Sequence, residues 1–218
     1  MRRIVATLFT TVDGVVEAPE KWHFPYFSEE MGAVVGSLMR DTQLLGRKTY
    51  ETFATTWPAR EVAGGDDARL AATIGDQRKI VVSRRRLDFT WRNSEQLEGE
   101  LVAGVTALKA EGGGDIAISG SVSVVRQLLG ARLIDELHLL VDPIAVRIGM
   151  RLFDEHGSAL PFTLTGSTAL SNGVVHLVYG PAEAAPPGTY RAASKVMAEA
   201  GATGERVGTT VETPEALR

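Results

Sequence analysis

"LLGRKTYETFATTW", residues 44–57, sets two leucines against a glycine and then places two cations, Arg47 and Lys48, where a helix-forming run begins. A helix start already carries partial positive charge and unpaired N–H groups, so bases there are locally unfavourable unless an anion sits on them. The stretch reads as a short buried strand, a glycine turn and the first turn of a helix. Two meanings stay open at this point: a surface helix with solvated bases, or a phosphate site at a helix start.

The same order recurs downstream. "RKIVVSRRRL" gives a strand over 79–83 that ends in Ser83 and runs into Arg84, Arg85 and Arg86. "DIAISGSVSVVRQLLGARL" gives a strand, a Ser119-Gly120-Ser121 turn and a helix. Upstream, residues 3–9 form a strand-like run broken at Asp13-Gly14, and "APEKWHFPYF" is a loop interrupted by Pro19 and Pro25. "SEEMGAVVGSLMR", 28–40, has a helix-start signature: Ser28 caps, Glu29 and Glu30 favour the first turn, and Met31, Val34, Val35 and Leu38 recur at helical spacing. The helix after Gly46 is expected to end near Pro58, and a small helix is expected around 67–73 with Asp66-Asp67 as its cap. Residues 97–114 read as an amphipathic helix stopped by three glycines, and "DELHLLVDPIAV" as a strand halted by Pro143. "PFTLTGSTALSNGVVHLVYG" alternates on both sides of Asn172-Gly173, the pattern of a hairpin.

Strands interleaved with helices predict an α/β fold: a mostly parallel sheet with helices on both faces and an antiparallel C-terminal hairpin. One domain is expected over residues 1–180. From 181 to 218 the composition shifts to Ala, Gly, Pro, Glu and Thr, which predicts a tail with a short helix in "RAASKVMAEA".

With 218 residues, 44% hydrophobic and 23% charged, the chain is long enough for a real core. The net charge of −4 supplies no field that recruits nucleic acid or an anionic membrane. The absence of cysteine excludes disulfides, a thiolate nucleophile and cysteine-bound metal, and it fits a cytoplasmic location. The first residues make a poor signal peptide, and no run approaches the ~20 apolar residues of a membrane span. His23, His138, His156 and His176 have no metal-type spacing, so no metal is expected.

In a parallel sheet the carboxyl ends of the strands lie on one side, where ligands bind. Three junctions there, Gly46-Arg47-Lys48-Thr49, Ser83-Arg84 and Ser119-Gly120-Ser121, describe a groove for a multiply phosphorylated ligand. "GRKT" lacks Walker A spacing and no G-x-G-x-x-G follows the first strand.

"LLGRKTYETF", "KIVVSRRRL", "GGGDIAISGSVSVVRQLL" and "LIDELHLLVDPIAVRIGMRLF", in this order, resemble the dihydrofolate-reductase-like superfamily. The branch resembled is the reductase domain of the bifunctional deaminase-reductase of riboflavin synthesis, in its stand-alone form, over about residues 3–180. That resemblance implies an eight-stranded sheet with NADPH across its carboxyl edge. Gly46, Arg47, Lys48 and Thr49 would then lie beside the pyrophosphate, and Ser83 and Arg84 at the adenosine 2′-phosphate. Gly120, Ser121 and Val122 match the turn at the phosphates and nicotinamide. Ser119 stands with them, where full reductases commonly carry the first glycine of a Gly-Gly pair, often joined by a cis peptide.

The resemblance also places Asp13 in the loop at the reaction centre, and Glu30 near the carboxylate that holds a pterin ring. These are the two candidate catalytic residues. For Glu30 the competing reading is simple complement to the helix start. Trp22 and Phe27, from a loop that also holds His23, Phe24 and Tyr26, are the candidate substrate contacts; the alternative is packing beneath the loop. The implied activity is hydride transfer from NADPH to a small heterocyclic or carbonyl/imine substrate, such as 5-amino-6-(5-phosphoribosylamino)uracil. A dihydrofolate- or pteridine-type reductase and a non-catalytic dinucleotide-binding module are the alternatives. A homodimer pairing through the late strands is also implied.

Overall fold

Ile4, Val5, Ala6 and Leu8 are all buried in β1 (Ile4–Thr11), so this strand has helices against both of its faces and shows no polar alternation. The structure is a computed structural model that describes residues 1–153, 158–185 and 188–203. Among these, β1, β2 (Thr42–Gly46), β3 (Arg78–Val82), β4 (Ser94–Gln96), β5 (Ile116–Ile118), β6 (Glu136–Asp142), β7 (Phe162–Ala169) and β8 (Val175–Pro181) form one sheet in the order β4-β3-β2-β5-β1-β6-β8-β7. The strands from β4 to β6 pair in parallel, and β8 pairs antiparallel with both β6 and β7. The expected α/β class, parallel body and closing hairpin are all present. The hairpin turns at Asn172-Gly173, where Gly173 has φ 85° and the Leu170 N–H bonds the Val174 carbonyl at 2.8 Å.

Consecutive residues Leu44 and Leu45 fall into different apolar clusters, as strand alternation demands. Leu44 joins Ile4, Ala6, Ile80 and Ile116 beneath α4 (Leu101–Ala110) and α5 (Val122–Gly130), which contribute Val105, Leu108, Val125 and Leu128. Leu45 joins Val81 and Trp91 beneath α2 (Arg47–Ala63) and α3 (Ala68–Asp76), through Tyr50 and Ile74. Farther along that face, Met31 of α1 (Glu29–Ser37) packs on Leu140, Leu170 and Val174. As expected, Ser28 caps α1: its Oγ accepts the Met31 N–H at 3.2 Å.

Two expectations about the α2–α3 region need correction. The helix does not end near Pro58 but runs through it to Ala63. A proline there forfeits its bond to the carbonyl four residues earlier and crowds that carbonyl with its ring. Against that loss, Phe53 and Trp57 pack on the Leu45–Val81 cluster, and the Arg60 guanidinium lies 5.2 Å from the Trp57 ring centre. Gly64, at φ 73°, stops the helix instead. Asp67 stands at the start of α3 but makes no side-chain cap, because its carboxylate takes Arg60 at 2.9 Å.

The far end of α3 is closed by Lys79, which is fully buried on β3. Its ammonium donates to the carbonyls of Ile74, Gly75 and Gln77 at 3.1, 2.8 and 2.6 Å and lies 4.3 Å from the Trp91 ring centre. Burial, with the Arg92 charge nearby, pulls its pKa down to about 8.

Residues Met1–Glu183 make one compact unit, and a second begins at Ala184. The second contains α6 (Tyr190–Thr203), on which Tyr190, Val196 and Met197 are exposed. The rest of the expected tail, 204–218, and His156 lie outside the described residues. Among the described residues, no helix is long and apolar enough to cross a membrane.

Candidate functional site at the carboxyl edge of the sheet

β2 and β5 are neighbours, so the turns that follow them are forced together. The Gly46 N–H bonds the Gly120 carbonyl at 3.0 Å. A Cβ on Gly46 would lie 1.7 Å from Ser121 Oγ, and one on Gly120 would lie 2.9 Å from Thr49 Oγ1. Glycine at these two positions therefore follows from close approach of the two turns. The non-proline cis peptide is Gly120–Ser121, one residue later than the expected Ser119–Gly120 pair; Ser119 itself is exposed at the end of β5.

α2 starts directly from Gly46 and α5 directly from Ser121, and neither start has a side-chain cap or an acidic residue in its first turn. Two sets of first-turn N–H groups are thus left without side-chain acceptors, on adjoining turns at one sheet edge. Arg47, Lys48 and Thr49 belong to the first of these turns, Val122 to the second.

The bases divide in a way the local reading did not anticipate. Arg47 donates to both Glu51 carboxylate oxygens at 2.8 Å, and Arg85 approaches the same group at 3.5 Å. The Arg47 hydrogen bond, more than the charges themselves, holds the Glu51 carboxyl below its ordinary range. Lys48 and Arg84 are exposed and make no side-chain hydrogen bond or ion pair among the described residues. The loop that displays Arg84 is tied from beneath. Ser83 Oγ donates to the Arg85 carbonyl at 2.7 Å, and Gln96 Nε2 donates to the carbonyls of Ser83 and Arg85, both at 3.1 Å.

The two candidate catalytic carboxylates are both engaged in loop architecture. Thr11 Oγ1 donates to Asp13 Oδ1 at 2.5 Å, and the Arg147 N–H donates to Asp13 Oδ2 at 2.8 Å. The Thr11 hydroxyl is the main cause of a lowered Asp13 pKa. Glu30 is exposed rather than buried, and its Oε2 accepts both the Ser171 N–H and the Ser171 hydroxyl at 2.8 Å. The backbone bond first, then the hydroxyl, keep Glu30 ionised below the usual carboxylate range. It fastens α1 to the hairpin turn.

Of the two candidate substrate contacts, Trp22 is buried under its own loop with Nε1 donating to the Glu17 carbonyl at 3.0 Å, a packing role. Phe27 is half exposed, and its ring meets the edge of His23 at 5.6 Å between centres. His23 belongs to the same aromatic loop, whose sequence offers a flat-ring pocket, but its partner is not legible there. It is buried, stacks on Phe9 at 3.7 Å and places Nδ1 2.8 Å from Oδ2 of the fully buried Asp142. The available sequence signals were weak: one histidine in an aromatic loop, and an aspartate before the proline that halts a strand. Among the described residues, no group of three or more His, Asp or Glu is placed to hold a metal ion, and His138 and His176 contact each other at 2.9 Å.

The family model described as RibD C-terminal domain matches residues 2–176. The uncharacterized protein YyaP of Bacillus subtilis (strain 168) is 25% identical over 179 residues, spanning 82% of this chain and 94% of that protein. Among solved structures, a putative riboflavin biosynthesis protein from Shewanella sp. PV-4 superposes with a TM-score of 0.62 at 19% identity, over 83% of this chain and 99% of that one. Dihydrofolate reductase from Enterococcus faecalis, complexed with NADP(H), does so with a TM-score of 0.54 at 16% identity, over 83% and 97%. At these identities the structural likenesses establish the fold.

Proposed function

The chain belongs to the RibD C-terminal domain family, and from that premise we propose that it is an NADPH-dependent reductase of a small heterocyclic or carbonyl/imine substrate. The observation that carries this reading is the meeting of two uncapped helix starts, α2 and α5, through the Gly46–Gly120 hydrogen bond of 3.0 Å. Such a pair of N–H clusters suits a pyrophosphate, with Lys48 adding charge and Thr49 and Ser121 adding hydroxyls. Arg84, displayed on a loop tied by Gln96, suits the 2′-phosphate that separates NADPH from NADH. The bound dinucleotide would supply hydride, and the protein's own tasks are to orient the two partners and exclude water. The substrate proposed first is 5-amino-6-(5-phosphoribosylamino)uracil. The family match supports it, and the commitment of Glu30 to Ser171 weighs against a pteridine.

The test is a titration of NADPH and NADH against wild type and Arg84→Ala. NADPH binding should weaken by about 1–3 kcal/mol, the loss of a charge-assisted hydrogen bond, while NADH is nearly unchanged. Equal losses, or none, remove Arg84 from this role. Absence of NADPH binding to the wild type refutes the reductase reading, and tight binding without turnover of any substrate selects the non-catalytic module.

A further inference from the structure

Among the described residues, four buried side-chain atoms lack a hydrogen-bond partner, and two of them, His23 Nε2 and Asp142 Oδ1, belong to the same bonded pair. Buried polar atoms are almost always satisfied, so two open positions on one couple call for a specific account. Asp142 is the last residue of β6 and pairs in register with Thr11, the last residue of β1. The other neighbour of β1 is β5, which runs into the Gly120–Ser121 turn. The couple therefore sits at the same end of the sheet as the cofactor groove, two strand spacings (about 10 Å) across from β5 and five residues further along β1 than Ala6, where the β5 pairing ends. The surroundings are flat and apolar: the Phe9 ring beneath His23 and the half-exposed Phe27 ring against its edge.

We infer that His23 and Asp142 form the polar end of the substrate site. Asp142 Oδ1 accepts an N–H of a planar heterocycle, and His23 Nε2 supplies the proton that the reduction consumes. The inference rests on the reductase reading. An Asp on Nδ1 fixes the orientation of an imidazole and leaves Nε2 to exchange a proton. In the step, the electrophilic carbon of a C=N or C=O bond gains a hydride from the reduced nicotinamide, which becomes oxidised. The adjoining nitrogen or oxygen takes the proton from His23 Nε2, and water reprotonates the neutral imidazole. Glu30 and Asp13 cannot serve as donors while they are ionised and engaged with Ser171 and Thr11.

The experiment uses full-length protein labelled with ¹⁵N-histidine, with uracil as the probe, a flat ring that carries N–H beside C=O. Spectra are recorded with and without NADP⁺, and His23→Phe, which keeps the ring stack, identifies the signals. Uracil should shift both His23 nitrogens saturably, and Asp142→Asn, which preserves shape, should weaken that binding tenfold or more. In turnover, His23→Phe should lower kcat by about 10²- to 10⁴-fold, the usual contribution of a general acid, with the NADPH dissociation constant unchanged. His23 signals that stay fixed in saturating uracil, or wild-type turnover in His23→Phe, overturn the inference. If wild type fails to bind NADP⁺ yet uracil moves His23, the His23–Asp142 couple stands as a ligand site and the reductase reading falls. If His23→Phe does not fold, the Asp142→Asn spectra decide alone.

Discussion

Gly46→Ala is the substitution whose outcome the geometry specifies most tightly. The backbone at Gly46, φ −70° and ψ 150°, is one that alanine adopts freely, so no conformational strain enters. Restricting the unfolded chain would by itself stabilise the variant by about 0.4–1 kcal/mol. The new methyl, however, lands 1.7 Å from Ser121 Oγ and 2.9 Å from both the Cβ and the backbone N of Ser121. The hydroxyl can rotate away, but Cβ and N are fixed to the start of α5. Ordinary contacts lie near ~3.5 Å, so the two turns must part by roughly half an ångström, stretching the Gly46–Gly120 bond. Overpacking of this kind costs about 1–3 kcal/mol, so after the entropic gain the variant loses up to about 2.6 kcal/mol. Urea unfolding followed by tryptophan fluorescence measures it, with an unchanged m-value showing that the folded form is otherwise intact. Ser121→Gly in the same chain removes two of the three close atoms and should restore about half of the loss, a coupling that only neighbouring sites show. Gly46→Ala more stable than wild type would refute the close approach of the two turns.

Lys79 should leave a signature in alkaline stability. Its folded pKa of about 8 lies below the ordinary 10.5, so between these values the unfolded chain binds more protons and unfolding free energy rises with pH. The rise attributable to Lys79 is roughly 3 kcal/mol at most. The difference between wild type and Lys79→Met should be flat below pH 8 and grow above it, and a difference that stays flat to pH 10.5 would show that the ammonium is not desolvated. Glu30→Gln should leave turnover and its pH profile at wild-type levels, because the carboxylate serves Ser171; lost turnover with cofactor binding intact would reinstate Glu30 as donor. The outer edge of β7 is unpaired among the described residues and Leu164 is exposed on that strand, so a second copy of the chain is expected to cover this side. Sedimentation of the full chain and of one ending at Glu183 should both give dimers, and two monomers would exclude it.

The parallel body of the fold was legible because buried parallel strands are continuous apolar runs, as "IVATLF" and "KIVV" are. The Ser28 cap and the Asn172-Gly173 turn act through backbone chemistry within a few residues, so they too could be read. What escaped reading depends on distant partners. β4 is three polar residues at a sheet edge with no apolar pattern to announce it. The passage of α2 through Pro58 is settled by Trp57 and Arg60 packing, not by local propensity. At the site, the turn chemistry and its glycines were visible in the junctions themselves. The engagement of Glu30 depends on Ser171 and the His23 couple on a residue 119 positions away, a separation across which local pattern carries no information. The i,i+4 spacing of Arg47 and Glu51 is legible in the sequence and accounts for their ion pair.

The way the loop after β3 is tied has a bearing on how such a protein diversifies. Its ties come from Ser83, Gln96, the backbone of Arg85 and Leu87, and the contact of the Arg85 side chain with Glu51, and among the described residues none comes from the side chain at position 84. The frame and the side chain it displays are therefore separable. Selection can exchange the residue at 84, from guanidinium to amide to carboxylate, with little effect on folding. If Arg84 holds the 2′-phosphate as proposed, cofactor preference is then free to drift by single steps, each of which yields a folded protein.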